Sequence, residues 1–320
     1  MIYSGSIEMP EGYFMQDAVR DAIAAAYWGE FERAIAAITS FLAQDPPEDQ
    51  AIFALRETIA WRAEIGDLDR AAKDAAACAK RGCEHWGTLD LRALMVRNTE
   101  MYWAGKAGKQ KESERLAKSL LIDADTVLDE REPLRTAIRN NAARILELGE
   151  HADMAEQIYV ELLEDFDKWQ EADGIEALTT RANYIDYLES IGELSKAREV
   201  SSRQVILLLQ SHGAKSPMTL YARYRMAILV LCDGDTETGT ELMEAVAGDC
   251  EKYLEPGDEL SVSAIEMVIA LAMQADLPNE TVSGLDRLIE QLKDITEPGG
   301  QLMTGIKQIR NRYREQCAAA

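Results

Sequence analysis

Apolar residues recur along most of the chain at three- and four-residue steps, the spacing that places them on one face of an α-helix. Residues 182–191 carry an apolar side chain at every third position, and residues 194–205 continue the pattern beyond Gly192. Alternating runs of β-branched residues, which are typical of strands, are absent. The pattern therefore predicts pairs of amphipathic helices joined by short turns.

Glycines interrupt the helical pattern at regular intervals. A glycine inside a helix costs about 1 kcal/mol relative to alanine, but a glycine ends a helix well because it adopts a left-handed conformation without strain. A near-constant interval between such turns indicates stacked helical hairpins. The predicted turns are 37 to 43 residues apart, with a seventh at Asp276, and lie at Gly29, Gly66, Gly108, Gly149, Gly192 and Gly234.

Five of the six predicted turn glycines are followed, five positions later, by a small residue. A small side chain there would let the two helices approach closely. Met154 is the exception, and the small residues are Ala34, Ala71, Ser113, Ala197 and Gly239.

The predicted helices form seven hairpins and one further helix. We divide the chain into an N-terminal tail (1–12), a repeat region (13–277) and C-terminal helices that cap the repeats (278–320). The helices are expected near 13–27, 30–44, 48–65, 67–81, 89–106, 109–129, 132–148, 150–167, 172–191, 193–211, 217–232, 235–254, 259–275, 279–294 and 299–316.

Residues Gly29–Pro46 resemble the second half of a tetratricopeptide repeat, with Phe31, Ala34, Ile38 and a closing Asp45 at that repeat's spacing. The later units of about 42 residues are similar to the longer repeats of kinesin light chains and of many bacterial repeat proteins. In those repeats a Thr-Leu pair opens the first helix and a loop joins successive units. Thr219-Leu220 and residues 254–259 occupy those places in this chain. The consensus tryptophan and first glycine are mostly missing. The resemblance implies an all-α fold, a right-handed superhelical solenoid of about seven hairpins with a C-terminal capping helix.

Charge narrows the classes of partner. The chain has 57 acidic and 34 basic residues, for a formal net charge of −23. Such a surface repels phosphate backbones and anionic membranes, so we expect neither nucleic acid nor membrane as a partner. The sequence has no apolar run long enough to span a bilayer, and its start lacks the features of a signal peptide. A cytoplasmic location is therefore expected.

No residue pattern predicts catalysis, a cofactor or a metal. The five cysteines form no CxxC pair, and the three histidines fall in three different repeats. The acidic stretch DGDTETG (233–239) resembles a calcium loop but has Thr238 where that loop needs glycine, so helix capping is the favoured interpretation. The acidic stretch DADTVLDE (123–130) is interpreted as a solvated helix end.

The tetratricopeptide resemblance implies a concave groove lined by the first helix of each hairpin. Asparagines at such positions could hold a peptide backbone, and arginines could hold a carboxylate. Alternatively, Asn140 contacts Asn183 across neighbouring repeats, and Arg56 or Arg139 pairs with nearby acids. The groove candidates lie nine or ten residues before a turn glycine, and Tyr221 is added because it lies on the same helix as Tyr224. They are Arg56, Asn98, Arg139, Asn140, Asn183, Tyr221, Tyr224 and Arg225.

These observations predict a non-catalytic scaffold that binds a protein or peptide in the groove. A regulatory protein that senses a peptide is the alternative, and an α-helical enzyme is a weaker one. Assembly of the chain into a homo-oligomer is left open.

Overall fold

Helix-forming residues and amphipathic spacing fold the chain into consecutive α-helices. The computed structural model describes residues 17–297 and 300–319, and within these ranges it contains fifteen helices and no strand. The predicted tail and the first four residues of the predicted helix 13–27 lie outside the described residues. The helices are α1 (Asp17–Tyr27), α2 (Phe31–Leu42), α3 (Glu48–Glu64), α4 (Leu68–Trp86), α5 (Leu91–Lys106), α6 (Gln110–Val127), α7 (Pro133–Leu146), α8 (Ala152–Trp169), α9 (Ile175–Ser190), α10 (Leu194–Ser211), α11 (Pro217–Cys232), α12 (Thr236–Tyr253), α13 (Glu259–Gln274), α14 (Pro278–Leu292) and α15 (Gln301–Ala319).

The chain divides into two compact units, an N-terminal unit that ends at Lys168 and a C-terminal unit that begins at Trp169. In each of them, helices that follow one another along the chain pack together, as α3 does with α4 and α13 with α14. The odd-numbered helices α1 to α13 are the first helices of seven hairpins, and α15 packs on α14. The predicted all-α helical-repeat solenoid is therefore confirmed.

The predicted turns have the backbone that the sequence pattern requires at six of seven places. A left-handed conformation, which only glycine adopts without strain, ends the first helix. Asp276 adopts the same conformation with φ of 54°, and the glycines with positive φ are Gly29, Gly66, Gly108, Gly192 and Gly234.

The fourth turn differs, and it corrects the predicted alignment of the repeats by one residue. Gly149 does not have a positive φ, and the Glu114 carboxylate occupies the space that a Cβ of Gly149 would take. The buried small residue of this hairpin is Ala155, with no exposed surface, whereas Met154 is 42% exposed. Glu150 is thus the residue equivalent to the other turn glycines. With this change, the turn positions 108, 150, 192, 234 and 276 are all 42 residues apart.

A repeated ion pair supports the corrected alignment. In three hairpins an arginine eleven residues before the turn position pairs with an aspartate on the second helix, 26 residues further along the chain. The nitrogen–oxygen distances are 2.6 Å for Arg97–Asp123, 3.7 Å for Arg139–Asp165 and 2.6 Å for Arg223–Asp249.

One predicted helix end is wrong. The sequence predicts that the fourth helix ends at residue 81, before Gly82, but α4 continues to Trp86. A Cβ on Gly82 would lie 2.8 Å from Val96 Cγ2, so this glycine allows close packing of α4 against α5. Gly87, with φ of 89°, ends the helix instead.

Candidate binding surface on the first helices

The residues ten and nine positions before each turn define a series on the first helices, which we call the ladder. In the N-terminal unit the ladder comprises Val19, Arg20, Arg56, Glu57, Asn98, Thr99, Asn140 and Asn141. In the C-terminal unit it comprises Ala182, Asn183, Tyr224, Arg225, Glu266 and Met267. The corrected alignment moves Arg139 off the ladder and adds Asn141, which the sequence analysis missed.

In the N-terminal unit, the amides of the ladder are used for packing between helices. Asn98 is 1% exposed, and its Oδ1 accepts a hydrogen bond from Asn141 Nδ2 at 3.2 Å. Thr99 is also buried, and its hydroxyl donates to the Met95 carbonyl oxygen at 3.1 Å. Asn140 is buried as well. A ligand could reach Asn98 only if α5 and α7 separated, so this candidate is a packing residue.

Two predicted groove arginines of the N-terminal unit are engaged by neighbouring side chains. Arg139 is buried and pairs with Glu161 and Asp165 of α8, as the alternative interpretation expected. The Arg56 guanidinium lies 4.9 Å from the ring centroid of Phe53, and one of its nitrogens lies 3.8 Å from Met95 Sδ. Arg56 also pairs with Glu57 at 3.8 Å, so each of the two arginines already contacts an acid of the protein.

In the C-terminal unit, the same face carries aromatic side chains that reach solvent. Tyr221 is 54% exposed, and Tyr224 follows it one turn later on α11 with a half-buried ring. Burial raises the pKa of the Tyr224 hydroxyl, with smaller contributions from Glu266 and Tyr221. Glu266 lies at the ladder position of the next first helix, α13, and is exposed. Tyrosine and carboxylate side chains of two first helices therefore form one surface.

Arg225 is held by acids of the preceding first helix. Its guanidinium donates to Asp186 Oδ1 at 2.8 Å and also pairs with Glu189, both on α9. Burial disfavours the charged arginine, but hydrogen bonds to Asp186 and Tyr221 outweigh that cost and raise its pKa. A cavity of about 40 Å³ lies beside Tyr221 and Arg225, with Ser201 and Gln204 of α10 on its polar side. Because two acids engage one arginine and Glu266 adds a third acid, this surface carries a surplus of negative charge.

The acidic stretches singled out in the sequence serve the fold. Asp235 caps α12, its Oδ1 accepting from the Thr238 amide at 3.2 Å, and Asp233 pairs with Arg198 at 2.6 Å. Asp125 pairs with Arg135 at 2.9 Å. Across residues 17–297 and 300–319, no three His, Cys, Asp or Glu residues gather as metal ligands would. The helices in these ranges are also too short or too polar to cross a membrane.

Sequence reasoning missed Asp186 and Glu189 as partners of Arg225. The 42-residue interval could have found Asp186, because Arg225 is equivalent to Asn183 and Asp186 lies one helical turn beyond Asn183. Side chains at neighbouring ladder positions are within reach of each other when the first helices lie side by side.

Solved structures of repeat proteins are similar to this fold. The STAND protein with a tetratricopeptide repeat sensor from Pyrococcus horikoshii aligns with a TM-score of 0.61 at 12% identity, covering 92% of this chain and 44% of that one. The nearly identical kinesin light chain TPR-like repeats from Podosopora anserina give 0.58 at 14%, covering 63% and 95%. A tetratricopeptide repeat protein from Parabacteroides merdae gives 0.55 at 10%, covering 94% and 99%. No protein-family model and no curated protein matches the sequence. The chain therefore has a tetratricopeptide-like helical-repeat fold, as the resemblance of its repeats implied.

Proposed function

We propose that the chain is a non-catalytic scaffold that binds a protein or peptide on the first-helix face of the C-terminal unit. The observation that carries this proposal is the exposure of Tyr221 there, next to the half-buried Tyr224. Aromatic side chains with a polar tip are enriched at the centres of protein interfaces, where they supply a large contact area at low entropic cost. The structures of similar fold are repeat proteins, which supports a scaffold at the level of fold.

The charge of this face favours a neutral or basic partner segment. Asp186, Glu189 and Glu266 outnumber the single Arg225, which is already hydrogen-bonded to Asp186. Cations bind well to tyrosine faces flanked by carboxylates. The net charge of −23 would also steer a basic segment toward the protein from a distance. A carboxylate held by Arg225, the earlier expectation, would have to displace an acid that the protein itself supplies.

Asn183 and Asn140 stay candidates for contacts with a peptide backbone, because an amide offers both a donor and an acceptor. Asn183 is half-buried on the same face as Arg225, whereas Asn140 is buried in the N-terminal unit. We assign the stronger role to Asn183.

A regulatory protein that senses a peptide is the second candidate. The Pyrococcus horikoshii protein of similar fold is described as carrying a tetratricopeptide repeat sensor. A sensor would change the exchange of amide hydrogens in helices distant from the ligand, whereas a scaffold would change it only at the contact surface. An enzyme is the weaker alternative, and turnover of a bound peptide would distinguish it.

Peptide display on the full-length chain tests the proposal. We expect selected peptides to be enriched in lysine and arginine, and to bind the Tyr221→Ser/Tyr224→Ser variant about tenfold or more weakly, a loss typical of central aromatic anchors. Tyr27→Ser is the matched control, because Tyr27 is 80% exposed on α1 in the other unit. Peptides that bind the double variant and the wild type equally would refute the proposed site.

A further inference from the structure

A second surface of the C-terminal unit forms an open cleft of about 470 Å³. It lies between the second helices α12 and α14, and its apolar floor comes from α13 and the turn that follows, with Leu271, Ala272 and Leu277. Thr240 of α12 and Ser283 of α14 face each other across it. This volume lies within the range of about 300–1,000 Å³ that is typical of ligand sites.

Two glycines and one arginine explain why the cleft exists. A Cβ on Gly239 of α12 would lie 2.6 Å from the Leu231 side chain, and one on Gly284 of α14 would lie 2.6 Å from Ile269 Cγ1. Each second helix is therefore drawn tightly onto its own first helix. Arg287 of α14 joins α12 at one end of the cleft, bonding Glu244 at 2.7 Å and Glu251 at 2.7 Å. The space between the helices stays open beyond this bridge.

The sequence around the cleft is strongly acidic. Residues 225–287 contain fourteen aspartates and glutamates and three basic residues, Arg225, Lys252 and Arg287. Glu244 and Glu280 line the cleft itself, and Arg287 is already bonded to two carboxylates. An apolar floor flanked by the carboxylates of Glu244 and Glu280 is complementary to a segment that combines a large apolar side chain with positive charge.

We propose that this cleft binds a basic amphipathic segment of a partner protein. The segment inserts an apolar side chain over Leu271 and Ala272 and places lysine or arginine beside Glu244 and Glu280. This site is separate from the first-helix face, so one chain can hold two partner segments on different surfaces of the same unit.

A fluorescent peptide measures binding to the cleft directly. The probe is a rhodamine-labelled amphipathic peptide of leucine and lysine with about five helical turns, titrated with the full-length chain and followed by anisotropy. We expect saturable binding at one site in the micromolar range, about −8 kcal/mol. Peptides with glutamate in place of lysine, or serine in place of leucine, should bind about tenfold or more weakly, since each lacks one of the two complementary features.

Substitutions at exposed cleft positions locate the site. Ser283→Trp fills the cleft from the exposed side of α14, and we expect it to weaken binding about tenfold. Glu280→Lys should weaken binding several-fold and reduce its dependence on salt. Glu290→Lys is the matched control, with the same charge change on an exposed residue of α14 that does not line the cleft, and it should change affinity less than about twofold.

Circular dichroism and melting curves check that the Ser283→Trp variant is folded. If that variant is unfolded, Thr240→Trp replaces it and fills the cleft from α12. Unchanged affinity in a folded cleft-filling variant overturns the proposal. Equal weakening by Glu280→Lys and Glu290→Lys also overturns it, because it shows diffuse charge attraction. If Tyr221→Ser/Tyr224→Ser abolishes binding and Ser283→Trp does not, the peptide occupies the first-helix face. That result refutes the cleft and supports the proposed function.

Discussion

Asn98 in the N-terminal unit and Tyr224 in the C-terminal unit occupy the same position of the repeat, but their surroundings differ. Asn98 is buried and bonded to Asn141 of the next first helix. Tyr224 is half-exposed and lies near the exposed Glu266 of the next first helix. The position of a residue in the repeat thus determines which helix it faces, and the size and charge of its neighbours determine whether solvent reaches it.

The difference follows from the side chains. Two amides are small and each can satisfy the other, so they can be enclosed between helices without losing hydrogen bonds. A tyrosine and a glutamate are larger, and enclosing an unpaired carboxylate would be costly. The ladder therefore stabilises helix packing in one unit and forms a surface in the other.

The largest expected loss of stability tests whether the fourth turn is correctly aligned on Glu150, on which this comparison depends. Ala155 has no exposed surface, and the corrected alignment places it at the close contact between α7 and α8. Ala155→Leu should overpack that contact and cost about 1–3 kcal/mol in urea unfolding. Met154→Leu, at the neighbouring exposed position, should be nearly neutral. A larger loss for Met154→Leu than for Ala155→Leu would restore the original alignment on Gly149.

The second prediction compares the two ladders directly. Asn98→Ala leaves the buried Nδ2 of Asn141 without its acceptor, so it should cost about 1–3 kcal/mol of unfolding free energy. Glu266→Ala changes an exposed residue at the same repeat position and should stay within about 0.5 kcal/mol. Chemical denaturation measures both. Similar losses for the two variants would mean that the ladders do not differ in role.

The arginine–aspartate ion pair occurs in both units, so its contribution to stability should be similar in each and smaller than the effects above. The pairs Arg97–Asp123 and Arg223–Asp249 have the same 2.6 Å geometry and partial exposure. Double-mutant cycles with alanine should give coupling energies of about 0.5–1 kcal/mol for both pairs. Coupling confined to one pair would show that the ion pair is not a common element of the repeat.

The smallest effect concerns an acid next to the buried ladder. Burial, with a contribution from Glu112, raises the pKa of Glu100 on α5. The folded chain therefore binds this proton more readily than the unfolded chain, so ionisation of Glu100 destabilises the fold above its folded-state pKa. Glu100→Gln should raise the melting temperature at pH 7, and the gain should shrink as the pH falls toward 4. An equal gain at both pH values would assign the effect to packing.

Much of the fold could be predicted because its signals are local. Helical periodicity and the turn residues locate the end of the helix before each of the seven turns and the start of the helix after it. These fourteen positions agree with the structure to within a few residues. The fourth turn gave a wrong alignment, since Gly149 lacks the positive φ of the other turn glycines and lies beside the Glu114 carboxylate. The fourth helix was predicted to end at residue 81, but Gly82 lies inside α4 and packs closely on Val96. Contacts between repeats decide such cases, and a linear pattern does not contain them.

Contacts between helices also limited the prediction of the candidate site. The sequence predicted a surface on the first helices that includes Tyr221 and Tyr224, which reach solvent, but it placed Arg139 and Asn98, which are buried, on the same surface. Burial depends on how neighbouring first helices approach, and the acids that hold Arg225 and Arg139 lie on other helices. The interval of 42 residues can suggest such partners only after the turns are aligned correctly.

Hydroxyl-radical footprinting of the full-length chain, with and without a peptide selected by display, tests the central claim most directly. Without peptide, the exposed Met218 and Tyr221 should oxidise faster than the buried Met95 of the N-terminal unit. With peptide, oxidation of Met218, Tyr221 and Tyr224 should fall together while the exposed Trp28 stays unchanged. Protection restricted to the N-terminal unit, with Tyr221 and Tyr224 unaffected, would contradict the account.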